Sequence, residues 1–416
     1  MQVGRRKLGI LYEPESVDVM ALARTTAERW PLVWLVDART PQPQRPILAR
    51  LGEVIDTASR SAEDLSELLA VLGVAGLTTF ADASLERLAE IAEALGVVHN
   101  SAATSRCLVD KLAERDALAA YGLPVPRYHR VDSSTTAQQL AELLDGITYP
   151  LVLKPAIGTG GRLTVCVADL PGAAEALALL TRSRPGAAFV VEECLGSYPP
   201  NPIDGVADYV SVELACDGDR HELLAITGRM PLEPPFREGG HFIPAGLEGD
   251  SAATILSTAS RALTALGVRV GCVHVEIKLT PEGPRIIEVN GRAGGGGIRD
   301  LLIALGASDP YLLAAELAMG ETPSVTPAPA TGPMKYTFAL QPPLDRPARL
   351  VTGWREQLDA LPGVTDVRLR SEAHTATIAE GAYGYLALIS GTATDRRALV
   401  ETHTACAALI EPVMSG

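Results

Sequence analysis

Lysine is what this 416-residue sequence has least of among its charged residues: of 36 basic side chains only five are lysine, at positions Lys7, Lys111, Lys154, Lys278 and Lys335. Where arginine supplies nearly all the positive charge, a retained lysine points to a place that needs a compact ammonium. Positive charge as a whole is short too. A formal net charge of −14 argues against a general nucleic-acid binder and against attachment to an anionic membrane. No apolar run reaches the roughly 18 residues that a membrane-spanning helix needs. The first residues carry Arg5, Arg6 and a short apolar run, but Glu13 and Glu15 interrupt it too early for a signal-peptide core. The six cysteines contain no C-x-x-C pair, so they read as buried or free thiols in a reducing compartment, and a cytoplasmic protein is expected. Also missing are a G-x-G-x-x-G after the first strand, a Walker-type phosphate loop, an internal repeat and any extended low-complexity segment.

What is present is a chain long enough, at 47% hydrophobic residues, for a large core and two or three domains. Residues 1–100 alternate short apolar runs, read as strands at 7–12, 32–37, 54–57 and 76–80, with amphipathic helices. One helix carries the stripe Leu65, Leu68, Leu69 and Leu72, with Ser61 as its N-cap and Gly73 just past its end. Such βα alternation predicts a parallel sheet covered by helices. A single helix is expected from about Asn100 to Tyr121, with Lys111 on it.

Lys154 ends an apolar strand and runs into the glycine turn Gly158, Gly160 and Gly161. This arrangement either gathers an ammonium and backbone N–H groups around a phosphate or is a plain hairpin loop with an outward lysine. A strand over 188–195 ends in Glu192, Glu193, Cys194 and Leu195, where backbone groups in an apolar slot could read an adenine. Residues 229–244 look like a mobile loop that concentrates Arg229, Arg237, Glu238 and His241 among prolines and glycines. After a linker-like Pro/Ser/Thr stretch at 321–333, the rest reads as a small α+β unit in which His374 and His403 are surface residues.

The stretch 271–300 is the most informative. It predicts two strands joined by a tight turn at Thr280–Pro284. Val273, Val275 and Ile277 alternate with His274, Glu276 and Lys278, and Ile287 and Val289 alternate with Glu288 and Asn290. A turn near Glu282 sets Glu276 opposite Glu288 and His274 opposite Asn290. Facing carboxylates repel unless one is protonated or a cation lies between them. Two carboxylates and an amide oxygen beside a glycine run suit Mg²⁺ on a polyphosphate, and a solvated hairpin face is the bland alternative.

In order along the chain, Lys111, Lys154 with Gly158, Gly160 and Gly161, the E-x-x-L segment Glu192–Leu195, and Glu276, Glu288, Asn290 and Arg292 resemble the ATP-grasp carboxylate–amine ligases over roughly 100–321. The resemblance implies an α/β and α+β multidomain chain with an ATP-grasp fold. Its expected parts are an N-terminal parallel-sheet domain at 1–102, an ATP-grasp domain at 103–320 with a glycine-loop subdomain near 125–190, and a C-terminal α+β domain at 334–416. It also implies ATP as co-substrate and two Mg²⁺ or Mn²⁺ ions held by Glu276, Glu288 and Asn290. Lys111 and Lys154 would hold phosphates under the glycine loop, Glu193 and Leu195 would bind adenine through their backbone, and Arg292 would contact the transferred phosphate. The ribose-binding acid stays unassigned, because 197–204 looks like an insertion there.

Within the family, Glu238 to Pro244 together with His274 to Lys278 look most like the bacilysin-type L-amino acid ligases. Carry-over gives Glu238 the substrate amino group and His241 its carboxylate or acyl phosphate. Asn290 is a departure, since some of those ligases replace it. The implied partners are amino-acid or peptide substrates, with no nucleic acid and no membrane, in a homodimer. The other readings are an ATP-grasp ligase of purine-pathway or carboxylase type and a nucleotide-binding protein without catalysis.

Overall fold

The computed structural model describes residues 6–196 and 204–413; the expected insertion after the hinge therefore lies outside the described residues up to Asp204. In chain order the strands are β1 (Lys7–Leu11), β2 (Leu32–Val36), β3 (Gly52–Asp56), β4 (Val74–Thr79), β5 (Tyr128–Val131), β6 (Leu151–Pro155), β7 (Val165–Val167) and β8 (Phe189–Glu193). Then come β9 (Tyr209–Asp217), β10 (Arg220–Arg229), β11 (Gly240–Ile243), β12 (Val270–Thr280), β13 (Gly283–Asn290) and β14 (Met334–Ala339). The last are β15 (Ala348–Leu350), β16 (Val364–Leu369), β17 (Ala373–His374), β18 (Ala387–Ala393) and β19 (Ile410–Pro412).

The first four form the predicted parallel sheet in the order β3-β2-β1-β4. All of β2 is buried, as a strand covered on both faces must be. The Ser61-capped helix closes with a capping box on Asp64 and ends at Gly73 in the left-handed conformation, φ 77°. Helices Val19–Thr26 and Arg45–Leu51 were not legible beforehand; the first shows only in its cap, Asp18, which accepts from the N–H groups of Met20 and Ala21.

A second sheet, β5-β8-β6-β7, carries the glycine loop between β6 and β7. The third is a single eight-stranded sheet in the order β13-β12-β9-β10-β11-β14-β18-β16, antiparallel at every pairing. Helix Gly249–Leu266 lays Ile255, Ala259, Leu263 and Leu266 on this sheet. Each large aliphatic side chain so buried contributes roughly 2 kcal/mol. The strands of the C-terminal unit thus continue the sheet that holds the hairpin, through the β11–β14 pairing; only β17-β15-β19 stand apart.

Three local expectations are corrected. The helix expected over 100–121 is two, Ala102–Cys107 and Lys111–Ala120, because Asp110 turns aside to cap the second and accepts from Leu112 N–H at 2.9 Å. The 229–244 stretch is no mobile loop: it contains β11, and Arg229, Arg237 and His241 are buried. The hairpin has the predicted pairs, Glu276 with Glu288 and His274 with Asn290, but a bulge follows, so that Ile277 pairs with Ile286. The extra residue sends Ile286 into the core and leaves Ile287 on the wall of the cavity described next.

Candidate active site

Between the second and third sheets lies a cavity of about 790 Å³, a size usual for small-molecule sites. Every site residue expected from the sequence lines it: Lys111, Lys154, Gly158, Gly160, Gly161, Glu192 to Leu195, Glu238, His241, Glu276, Glu288, Asn290 and Arg292. The N-terminal unit adds Glu15, and the C-terminal unit adds Thr337, Tyr383, Tyr385 and Leu388.

At one end the ammonium groups are held by carboxylates. Lys154 Nζ lies 2.6 Å from Glu192 Oε1. Lys111 Nζ lies 2.8 Å from Glu288 Oε1 and donates to Gly158 O at 2.7 Å, which ties the helix to the glycine loop. Beneath them runs a layer the sequence did not reveal. Arg115, fully buried, bonds Glu192 Oε2 at 3.1 Å, Glu114 Oε1 at 2.7 Å and Ile287 O at 2.7 Å. Glu114 Oε2 in turn accepts from Val289 N–H at 2.9 Å, so helix and hairpin are locked together. Burial would raise Glu192, but Arg115 and Lys154 hold it at about 2; burial lifts Glu114 to about 7 in spite of Arg115. The only sequence signal for Arg115 was its spacing of one helical turn from Lys111.

The slot beside this end is apolar, with Val152, Leu195 and Ile287 on its walls. Glu193 N–H donates to Arg127 O and its carboxylate accepts from Arg127 N–H, both at 3.0 Å, while Cys194 N–H donates to Pro150 O at 3.1 Å. Lys278 reaches Asp208 at 2.7 Å next to Gly196, so it belongs to the hinge side of the hairpin and not to the carboxylate pair. The glycine loop is docked on the C-terminal unit: Ala382 N–H donates to Gly160 O at 2.8 Å, and a side chain on Gly160 would strike the Tyr383 ring at 2.4 Å.

At the other end one guanidinium serves several groups. Arg229 lies 2.5 Å from Glu238 Oε1, 2.8 Å from His241 Nδ1 and 3.7 Å from Glu276 Oε1. Against the effect of burial, Arg229 above all, with the charged His274, holds Glu238 well below the usual carboxylate range, so it is ionised. Burial and the adjacent guanidinium push His241 down to about 4, so it is neutral. Burial alone would lower His274 as well, but Glu213 and Glu276 outweigh it and hold it at about 9. Nδ1–H to Glu213, at 2.8 Å, is the tighter contact; Arg229 Nη2, at 3.0 Å, opposes a proton on Nε2, which is therefore the first to leave. Arg292 is aligned by the N-terminal unit, its Nε donating to Asp82 Oδ2 at 2.8 Å, while Asp82 Oδ1 is buried without a partner among the described residues. His403, expected at the surface, packs edge-on against Phe338 with its ring 5.0 Å away, and burial lowers it to about 4. His374 pairs with Glu380 at 2.9 Å.

Glu276 and Glu288 face one another on paired strands with buried Asn290 beside them. These are hard oxygen donors of the kind Mg²⁺ takes. Among the described residues no group of three or more His, Cys, Asp or Glu side chains is arranged to hold a metal by itself. An ion here would therefore draw the rest of its shell from Asn290 and from phosphate oxygens. The described residues also contain no helix long and apolar enough to cross a membrane.

Comparison with known proteins follows the same lines. Residues 147–300 match the model of the ATP-grasp domain. An uncharacterised protein of Sinorhizobium fredii is 26% identical over 83% of this chain and 71% of its own length. Human carnosine synthase 1 is 28% identical over 65% of this chain, which spans only 34% of that protein. Among solved structures, an L-amino acid ligase from Bacillus licheniformis superposes with a TM-score of 0.73 at 18% identity, covering 99% of each chain. A carboxyaminoimidazole ribonucleotide synthase from Aspergillus clavatus, complexed with ATP, gives 0.71 at 16% identity over 97% of this chain and 99% of its own.

Proposed function

The chain has the ATP-grasp fold and carries an ATP-grasp domain, and from that premise we propose that it is an ATP-dependent carboxylate–amine ligase that joins an amino acid or related carboxylate to an amine such as an amino acid or peptide. One observation carries this reading. The phosphate-type lysines and glycine loop, the facing carboxylates, and the ionised Glu238 with neutral His241 and Arg292 all open into a single cavity.

In this reading ATP enters with its base in the slot of Val152, Leu195 and Ile287. Two hinge N–H groups are already bonded to Arg127 and Pro150, so the Glu193 carbonyl and the Leu195 N–H are left for the base. Lys111 and Lys154 face the phosphates, and the Gly158–Gly161 loop covers them. Magnesium held by Glu276, Glu288 and Asn290 would neutralise the charge on the β- and γ-phosphates.

The substrate carboxylate oxygen attacks the γ-phosphorus, the bond to ADP breaks, and an acyl phosphate forms. Arg292, braced by Asp82, meets the transferred phosphoryl group. The substrate ammonium sits against Glu238. His241 faces the substrate carboxylate or acyl phosphate as a neutral N–H donor, since a side chain at about 4 with Nδ1 already accepting from Arg229 cannot serve as a base. The free amine nitrogen then attacks the acyl carbon, the acyl carbon–oxygen bond to phosphate breaks, and the nitrogen's proton passes to the departing phosphate. Water must stay out in between, which suits a glycine loop docked on residues 382 and 383.

A screen of amino acids, singly and in pairs, for ATP-dependent phosphate release, with mass spectrometry of the products, tests this. Amino-acid-dependent turnover with an amide product is expected. Turnover with purine precursors or bicarbonate alone would move the chain to another ATP-grasp activity.

A further inference from the structure

Arg229 ends β10 directly opposite His241 on β11, and its side chain is 1% exposed. Its guanidinium reaches both strands of the cavity floor. Nη1 meets Glu238 Oε1 at 2.5 Å and His241 Nδ1 at 2.8 Å, and Nη2 lies 3.7 Å from Glu276 Oε1 on β12. A guanidinium has only donors, so His241 Nδ1 must meet it with a lone pair. That fixes the neutral tautomer, with the proton on Nε2. The Nε2 atom occupies the space left by Gly296, where a Cβ would stand 2.1 Å away, and Gly296 itself has φ 62°. The glycine run thus makes room for the imidazole edge that faces the cavity.

We propose that Arg229 is a positioning residue: a rigid fork that ties Glu238 and the His241 strand to the Glu276 hairpin and presents His241 Nε2–H as a donor to the substrate. This rests on the ligase reading above. It also explains why an arginine stands here. A lysine is a point charge on a flexible stem and cannot hold Glu238 and His241 in one fixed plane while staying beside Glu276. Arg229 touches no reacting atom in this arrangement and acts through the groups that do.

The test uses the full chain labelled with ¹⁵N-histidine, with the His241 signals assigned by their loss in His241→Asn. At pH 7 the parent should show His241 as the pure Nε2–H tautomer, and Arg229→Lys should show it mixed with the Nδ1–H form or protonated. An unchanged tautomer in Arg229→Lys overturns the proposal. In the kinetic arm, Arg229→Lys should lower kcat for the accepted amino acid about a hundredfold, the scale of a misplaced catalytic group. Affinity for ADP without Mg²⁺, measured by calorimetry, should stay at the parent value, because Arg229 reaches the proposed metal ligand Glu276 but none of the proposed nucleotide contacts. A parent-like kcat, or a loss of ADP binding equal to the loss of kcat, overturns the positioning role. Should the lysine chain not fold, Arg229→Gln is read by the same criteria. A parent that turns over no amino acid defeats the ligase reading alone, because the tautomer measurement still decides whether the fork exists.

Discussion

The two ends of the cavity hold their charges in different ways. At the proposed nucleotide end each lysine has a carboxylate of its own, Lys154 with Glu192 and Lys111 with Glu288, over the buried Arg115 and Glu114. At the proposed substrate end one guanidinium, Arg229, meets Glu238, His241 and His274 and reaches towards Glu276, which His274 contacts as well. The first end is a set of pairs, so one substitution leaves a defined partner behind. The second is a hub, so one substitution disturbs every spoke. A site that always meets the same nucleotide can be built of fixed pairs; one that must fit a particular substrate keeps its groups on a common pivot.

That contrast can be broken in four ways, taken from the largest effect down. Glu288→Ala removes a proposed metal ligand and frees Lys111, and should lower amino-acid-dependent phosphate release at least about a thousandfold; turnover that survives would remove the metal assignment. Arg115→Leu leaves Glu114 buried without its cation and Glu192 with Lys154 alone, and should cost about 3–5 kcal/mol in urea unfolding. A loss under about 1 kcal/mol would mean that the buried layer is not a coupled unit. Glu238→Gln should raise KM for the amino-acid substrate about tenfold, roughly 1.4 kcal/mol, with Mg·ADP affinity unchanged; equal losses of both would erase the distinction between the two ends.

The last of the four acts through pH. His241 and His403 are each lowered to about 4 in the folded chain, so between about pH 6.5 and 4 the unfolded chain binds the more protons. The share of stability that these two histidines carry is full above about pH 6.5 and falls on acidification, by up to about 1.4 kcal/mol per pH unit for each, while His274, held at about 9, acts in the opposite direction between about pH 6.5 and 9. His403→Gln should flatten that slope in thermal melts, and an unaltered slope would show that His403 takes no part in it.

The hairpin was legible because its alternation and its turn are both local; the two-residue turn at Pro281 and Glu282 alone would set Glu276 against Ile287, and the bulge restores the expected Glu276–Glu288 pair. The lysines were legible because the rest of the chain avoids lysine. Arg115, Asp82 and Glu213 were not, because each matters through partners far along the chain, as Asp82 does with Arg292. Arg229 stands out among the charges of 229–244, but an arginine in an arginine-rich sequence carries no mark of its burial. The bulge after Glu276 was hidden in the same way, since Ile286 and Ile287 are alike as residues and only the packing sends one inward. The cap at Asp110 could have been found, because an aspartate immediately before a helical run is a start signal.

The continuity of the central sheet bears on how this protein can be cut. Its composition invites separation at the proline-rich stretch 321–333, as though a catalytic piece and an appendage met there. Yet β11, which carries His241, hydrogen-bonds along its free side to β14. A fragment ending at 333 would expose a short, wholly buried strand as a bare sheet edge, the kind of surface on which chains pair with one another and aggregate. The appendage is part of the frame, and a shortened chain should be expected to come out of solution before it can be assayed.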